Sequence, residues 1–360
     1  MNVAHRSNRR GFTLVELLTV IAIISLLISI LVPSLQAARN QAKKTATAAQ
    51  IASLDTGTEM FRNDFNQYPR SGGSNPFEAP AGQDPYNAGS VFLSGAQWLG
   101  LSLMGADRQG YVKPTRENDT NDDAFLDSDD WNEWYAVAPN REYSRFGPYA
   151  DQDPKNAKTP IEFVQELPNG IAGAPSILFG SNPTYGGVAG GTGGAGPWNN
   201  GRIPMFVDAF GFPILYYKAS LNAKRPASYG SGGGLLVGTY DQSHNAMFTG
   251  YDAQNGQYTF TGSDRGWDLT GGGGFASASD PVHPAGVLGY SRAPSATQAP
   301  TELPNRPSFL ASIYDVEVFD QTYNGSQGKL VTRKNDSFIL WSPGKDGLWG
   351  TSDDVSNFNQ

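Results

Sequence analysis

One stretch decides the fold of this chain: Arg9-Arg10-Gly11-Phe12-Thr13-Leu14-Val15-Glu16-Leu17-Leu18. A short basic leader ends at the glycine, and an almost wholly apolar run follows over residues 12–32. Those 21 residues, at about 1.5 Å each in a helix, reach about 31 Å, which is enough for one bilayer crossing. Glu16 is the one charged residue of the run, and charged side chains inside membrane segments are usually functional. We therefore predict a transmembrane helix in which Glu16 has a specific role.

The charges of the leader predict its orientation. Arg6, Arg9 and Arg10 are opposed by no acid, so the N-terminus should stay cytoplasmic and the rest of the chain should lie on the far side. An ordinary signal anchor would explain the apolar run but not Glu16 or the glycine junction. A cleaved secretory signal is the other alternative, since residues 35–37 resemble a small-residue cleavage site. The apolar run is, however, longer than the roughly 7–15 residues usual for such signals.

Residues 11–16 resemble the processing motif of type IV prepilins and type II secretion pseudopilins. The resemblance implies that a prepilin peptidase cleaves between Gly11 and Phe12 and that Phe12 becomes N-methylated. It implies that Glu16 pairs with the N-terminal amine of the next subunit during assembly. A buried carboxylate that faces an ammonium group costs far less free energy than a lone one. Pro33 falls at mature position 22 (33 − 11), where many pilins carry proline.

Helix-forming residues continue beyond the apolar run and predict one long helix over residues 12–65. Apolar side chains recur at three- and four-residue spacing from Ile51 to Phe65 and define one amphipathic face. We expect this face to pack against the following globular domain, with subunit contacts carried mainly by residues 12–50. Pro33 should kink or locally melt the helix. Residues 66–69, Asn-Gln-Tyr-Pro, should end it, as a similar Asn-x-Tyr-Pro sequence does in major pseudopilins.

Composition and charge restrict the remaining possibilities. The 360 residues include 43 glycines, 24 prolines and no cysteine, which predicts one modest core with long loops and excludes disulfides. Residues 1–44 hold six basic residues and one acid, a balance of +5, so the remainder sums to −13 within a total of −8. This acidic exterior argues against nucleic-acid binding.

Short patterned runs predict the elements of the globular domain. A short helix is expected within residues 90–106, and strands over 203–207, 213–218 and 337–341. Residues 207–217 read as strand, tight turn, strand, and resemble the Asp-x-Trp-Gly-x-Pro-x-x-Tyr hairpin of major pseudopilins, with Phe210 in place of tryptophan. The predicted fold is α+β and pilin-like: a long N-terminal helix packed on a small antiparallel sheet, with Gly/Pro-rich insertions over about 70–200 and 220–335.

The C-terminal residues 342–358 combine three carboxylates with hydroxyls and turn glycines. Calcium takes about six to eight oxygens from carboxylates and loop carbonyls. The segment resembles the calcium-binding C-terminal loop of the major pseudopilin, with Phe358 in place of tryptophan. Matching positions are Ser342, Gly344, Asp346, Gly347, Asp354 and Asn357. The predicted ligands are Asp346 and Asp353 or Asp354, helped by Ser342 or Ser352 and by carbonyls near Leu340 and Leu348. The alternative is an acidic surface turn capped by side-chain hydrogen bonds.

No catalytic pattern is recognisable, and we predict that the chain is not an enzyme. Its three histidines, His5, His244 and His283, lie in no nucleophile, metal or general-base motif. An enzyme carried on a pilin anchor is therefore the weakest of the hypotheses.

The resemblance implies a pseudopilin subunit that assembles into a periplasmic pseudopilus and drives type II protein secretion. The alternative is a minor or tip pilin, or an adhesin, displayed on a type IV pilus. The implied partners are prepilin peptidase, other pseudopilin subunits, and the inner-membrane secretion platform with its ATPase. The expected organisation is a leader (1–11), a transmembrane helix (12–32), an amphipathic stalk (33–66) and a periplasmic domain (67–360). The chain would sit in the inner membrane as a single-pass protein and then in a periplasmic or cell-surface filament.

Overall fold

The computed structural model describes residues 14–72, 94–113, 115, 144–151, 153, 155–159, 162, 203–219, 240, 242–249, 267–268, 274–275, 309–313 and 332–358. The leader with Gly11 and Phe12, and most of the two predicted insertions, lie outside these residues. The chain divides into two compact units, Met1–Thr45 and Ala46–Gln360.

The first helix, α1, runs over Leu14–Phe65 and has 52 residues. It confirms the predicted long helix, whose first two positions lie outside the described residues. The helix is unbroken at Pro33, so the predicted local melting is not found there. Proline cannot donate to the carbonyl of Ser29, four residues earlier. The helical bonds on either side are sufficient to keep this turn in place.

The later part of α1, which belongs to the second unit, buries one face. Its buried residues are Thr47, Ile51, Leu54, Gly57, Thr58 and Phe61, and Phe65 is partly buried against the same core. This confirms the predicted amphipathic face. Gly57 is required by close packing, since a Cβ there would lie 2.6 Å from the carbonyl oxygen of Tyr149. The helix ends at Phe65, and Asn66 after it has a φ of 55°, a conformation that asparagine tolerates.

A second helix, α2, spans Gly95–Met104 within the predicted range. Ser94 and Gln97 form a capping box that satisfies the first backbone N–H groups. All ten residues are buried. The buried amide of Asn245 accepts from the backbone N–H of Ala96 and donates to the carbonyl of Tyr216, which fixes the helix against the sheet.

The other elements of the described chain are short. Strands β1 (Tyr111–Val112) and β2 (Arg145–Phe146) pair with each other, as do β3 (Ala157–Lys158) and β4 (Met205–Phe206). Strand β5 covers Leu215–Lys218, and β6 (Trp267–Asp268) pairs with β7 (Gly274–Phe275). A 3-10 turn, Gln242–Asn245, leads into α3 (Ala246–Thr249), and α4 covers Phe309–Ile313. Strands β8 (Phe338–Ser342) and β9 (Val355–Ser356) complete the set.

The central sheet has three antiparallel strands in the order β5-β8-β9. Leu215 pairs with Trp341, and Ser342 pairs with Val355. The predicted hairpin is present: Val207 bridges to Pro213, and the N–H of Asp208 donates to the carbonyl of Phe212 at 2.8 Å. The core joins α1, α2 and this sheet through Leu54, Leu99 and Leu340, among others. The fold is therefore α+β with a long N-terminal helix, as predicted.

Candidate functional site

The C-terminal loop connects β8 to β9 and brings the predicted acids together. Gly344, Gly347 and Gly350 have φ values of 69°, 74° and 100°, so the backbone turns repeatedly. Oxygens of Asp346, Asp353 and Asp354 all lie within 4.8 Å of one another. The loop therefore forms a compact group of three carboxylates at the end of the central sheet.

Backbone and indole N–H groups orient these carboxylates. Asp353 Oδ2 accepts from the backbone N–H groups of Lys345 and Asp346, at 2.8 and 3.1 Å. Asp354 Oδ2 accepts from Trp341 Nε1 at 2.6 Å and from the N–H of Gly350 at 2.7 Å. Asp346 Oδ1 accepts from the N–H of Leu348 at 2.8 Å. Each of the three acids therefore accepts at least one hydrogen bond from a backbone N–H group of the loop.

Burial, hydrogen bonds and neighbouring charge shift the pKa values of the three acids. Burial raises the pKa of Asp354 to about 7, although three neighbours donate hydrogen bonds to it. Burial raises the pKa of Asp346 as well, and the nearby charge of Asp353 adds to the effect. For Asp353, burial raises the pKa, but hydrogen bonds from Thr351 and two backbone amides outweigh it and leave the pKa lowered. Three close carboxylates repel one another when ionised, and a bound cation would offset that repulsion.

Thr351 is a site residue that the sequence analysis missed. Its hydroxyl contacts Asp353 Oδ1 at 2.7 Å, Asp354 Oδ1 at 3.2 Å and the carbonyl of Leu348 at 3.2 Å. The neighbouring Ser352, which the sequence suggested, is exposed. The sequence does hold a signal for this role. Thr351 lies two residues before Asp353, and a hydroxyl in that position can reach the carboxylate that follows it.

Ser342 is directed to the hairpin rather than to the three acids. Its hydroxyl donates to Asp208 Oδ2 at 2.5 Å and accepts from the N–H of Gly344 at 3.3 Å. The carbonyl of Leu340, another suggested ligand, accepts from the N–H of Asn357 at 3.3 Å within the sheet region. Ser342 thus supports the base of the loop in this structure.

In the sequence, Asp208 is recognisable only as part of the hairpin pattern. In the structure it organises the hairpin turn. Its Oδ1 accepts from the backbone N–H groups of Phe210 and Phe212, both at 2.9 Å. The residue is 3% exposed. Burial raises its pKa to about 6, against the lowering effect of its hydrogen bonds. Asp208 therefore joins the turn to the C-terminal loop through Ser342.

The predicted assembly residues lie in the first unit. Glu16 is exposed on α1, and its backbone carbonyl accepts from the hydroxyl of Thr19 at 3.0 Å. Large apolar side chains from Leu14 to Leu35 are also exposed, each by 46% or more. Among the described residues, α1 is the one helix long and apolar enough to cross a membrane, judged by length and composition.

Comparison with known proteins agrees with these features. The family model of the prokaryotic N-terminal methylation motif matches residues 6–32. The chain is 46% identical over 61 residues to the type IV wide pilus major component PilA4 of Thermus thermophilus, across 17% of this chain and 47% of that protein. It is 36% identical over 105 residues to the type II secretion system core protein G of Escherichia coli, across 29% of this chain and 62% of that protein. No solved structure is significantly similar to the chain.

The long helix and the motif make the N-terminal region of this chain similar to that of prepilins. More particularly, the chain carries the N-terminal methylation motif, and its N-terminal region is homologous to type II secretion protein G and to a type IV pilin. A further core protein G, from Pectobacterium carotovorum, is 38% identical over 61 residues, across 17% of this chain and 39% of that protein. The chain thus spans about two fifths to three fifths of the length of these relatives. These relatives are described as components of a pilus or of a type II secretion system.

Proposed function

We propose that the chain is a pseudopilin subunit that assembles through α1 into a periplasmic pseudopilus and drives type II protein secretion. The observation that carries this proposal is the continuous helix Leu14–Phe65, whose apolar N-terminal part is exposed and lies within the match to the methylation motif. An exposed apolar helix of this length needs either lipid or other helices around it. In a pseudopilin, the membrane would supply the lipid before assembly, and the neighbouring subunits would supply the helices afterwards.

The chain would be processed at its N-terminus and anchored in the membrane before assembly. Prepilin peptidase would cleave between Gly11 and Phe12 and methylate Phe12. Before assembly the chain would be a single-pass protein of the inner membrane, with its C-terminal domain in the periplasm. Assembly would then use the secretion platform, its ATPase and other pseudopilin subunits. The basic leader and the apolar run support this orientation.

Glu16 would pair with the N-terminal amine of the neighbouring subunit, and Pro33 would lie within the packed helices. The pairing can be tested by replacing Glu16 with alanine in the full-length chain and counting filaments by electron microscopy. We expect normal insertion and cleavage but few filaments. Ser29→Ala is the matched control, because its hydroxyl bonds only the carbonyl of Leu26 in the same helix, at 2.7 Å, among the contacts described. Filament numbers equal in the two variants would refute the role of Glu16.

We propose further that the C-terminal loop binds Ca²⁺. The donor set fits this ion, since three carboxylates, the hydroxyl of Thr351 and loop carbonyls can supply the required oxygens. Asp346, Asp353 and Asp354 would hold the ion, and Ser352 lies next to them. Ser342 would act from outside the ligand set, through Asp208. The ion would supply positive charge that cross-links two parts of the loop, in addition to its hydrogen bonds and its packing.

A minor or tip pilin, or an adhesin, is the second candidate. The observation that favours it is the extent of the chain beyond its relatives, since the E. coli alignment covers 29% of this chain. Bulky insertions are easier to accommodate at the end of a filament than on every subunit.

A further inference from the structure

The C-terminal loop is connected to α1 at one point through the hairpin turn. Ser342 donates to Asp208 at 2.5 Å, and the next backbone N–H, that of Ala209, donates to Thr47 Oγ1 at 3.2 Å. Thr47 is fully buried on α1. One turn further along the helix, Gln50 Nε2 donates to the carbonyl of Val207 at 2.8 Å. The front of the loop therefore reaches α1 through a short series of hydrogen bonds.

A second connection starts at the other end of the loop. Asn357 Nδ2 donates to Asp55 Oδ1 at 2.6 Å, while Asn357 Oδ1 accepts from the N–H of Leu340 at 2.9 Å. Lys334 Nζ also contacts Asp55 Oδ1, at 3.1 Å. Thr47 and Asp55 are eight residues apart, which is about 12 Å along the helix. The loop thus holds α1 at two separate points.

The turn also packs directly on the loop. A Cβ at Gly347 would lie 2.9 Å from the ring of Phe212, so that the ring rests against the backbone next to Asp346. Asn357 follows Asp354 by three residues and ties that end to the helix. In the sequence, the two connections therefore flank the carboxylate cluster, with Ser342 before it and Asn357 after it.

We infer that the C-terminal loop is a two-point clamp on α1, and that cation binding at its carboxylates is thermodynamically coupled to the anchoring of α1 at Thr47 and Asp55. This inference rests on the proposed calcium site. Bringing Asp346 towards Asp353 and Asp354 around an ion would fix both ends of the loop, and with them Ser342 and Asn357. Coupling between sites is reciprocal. Loosening either contact on α1 must therefore weaken cation binding.

Calcium affinity of the full-length chain in detergent micelles tests this coupling. Isothermal titration with CaCl₂ should show binding about three- to tenfold weaker in Thr47→Val than in the unmodified chain. Thr56→Val is the matched control, because Thr56 is exposed on the same helix and bonds the carbonyl of Ala52 at 3.0 Å. Its affinity should be unchanged. The titration is done well below the melting temperature, where a purely structural loss of stability does not alter the affinity of the folded protein.

Hydrogen exchange tests the same coupling in the opposite direction. Calcium should slow amide exchange over residues 46–56 in the unmodified chain, and Asp208→Asn should reduce this effect. Asn357→Ala tests the second contact if the first variant does not fold. Calcium binding of equal affinity in Thr47→Val, Asn357→Ala and the control would overturn the clamp alone. Failure of the unmodified chain to bind calcium would overturn the proposed site, and the clamp with it.

Discussion

At the residue scale, the carboxylates of the C-terminal loop lie close together in a small volume. Asp346, Asp353 and Asp354 offer oxygens within 4.8 Å of one another. Hydrogen bonds from loop N–H groups orient these oxygens but cannot remove the repulsion that arises when all three acids are ionised. With a divalent cation bound between the three carboxylates, the net electrostatic interaction in the cluster would become favourable. The loop would then be more stable with the ion than without it.

Removing one carboxylate should therefore abolish most of the calcium-dependent stabilisation. We expect calcium at about 100 times its dissociation constant to stabilise the unmodified chain by about 2.7 kcal/mol. Asp346→Asn should lose most of this gain, because the amide supplies no charge. The measurement is the shift in melting temperature on adding calcium to the full-length chain. Asp336→Asn, an exposed acid outside the cluster, is the control and should keep the full shift. A full shift in Asp346→Asn would contradict the proposed ligand.

Asp208 belongs to the same scale but stabilises the fold without calcium. Replacing it with alanine removes the acceptor for Phe210, Phe212 and Ser342. Buried donors left without a partner should cost about 2–4 kcal/mol of unfolding free energy. Denaturant unfolding in calcium-free buffer measures this loss, with Asp336→Ala expected to lie within about 0.5 kcal/mol of the unmodified chain. A loss below about 1 kcal/mol for Asp208→Ala would show that the turn does not depend on this carboxylate.

At the scale of the element, α1 is one continuous helix with an exposed apolar part and a later part that packs in the core. Its apolar side chains before residue 36 are exposed, whereas Ile51, Leu54 and Phe61 are buried in the core of the second unit. Both parts could be predicted because each follows from local composition or from helical spacing. The pairing of β5 with β8 could not, since Leu215 and Trp341 are far apart in the chain. Similarly, the three acids are close in sequence, but Ser342 and Asp208 are 134 residues apart.

Gly57 provides a test of how tightly α1 packs. In an exposed helix, glycine to alanine is worth about 1 kcal/mol in favour of folding. Here the new Cβ would lie 2.6 Å from the backbone oxygen of Tyr149, so overpacking of about 1–3 kcal/mol should oppose that gain. We expect a net loss of stability in denaturant unfolding of Gly57→Ala. Ser53→Ala, exposed on the same helix, should be neutral or slightly stabilising. A more stable Gly57→Ala would show that the contact relaxes easily.

At the scale of the whole molecule, the family features are concentrated at the N-terminus. The methylation motif covers residues 6–32, and the three alignments described above cover 17–29% of the chain. The remaining sequence holds the short strands, the C-terminal loop and the predicted insertions. N-terminal similarity alone fits both a repeating subunit and a specialised tip, because both would assemble through the same kind of helix.

The position of the chain in its filament separates these two functions. A repeating pseudopilin should appear along the whole filament, at an abundance comparable with the filament mass, whereas a tip pilin should appear at one end in a few copies. Immunogold electron microscopy with antibodies against residues 144–151, none of which is buried, combined with quantitative mass spectrometry of purified filaments, measures both. We expect labelling along the filament and a mature N-terminus at N-methylated Phe12. Gly11→Val should block cleavage and leave the chain in the membrane fraction, which controls for unassembled protein. Labelling confined to one filament end would reject the repeating subunit and support the tip pilin, because the processed helix would then be used only at the tip.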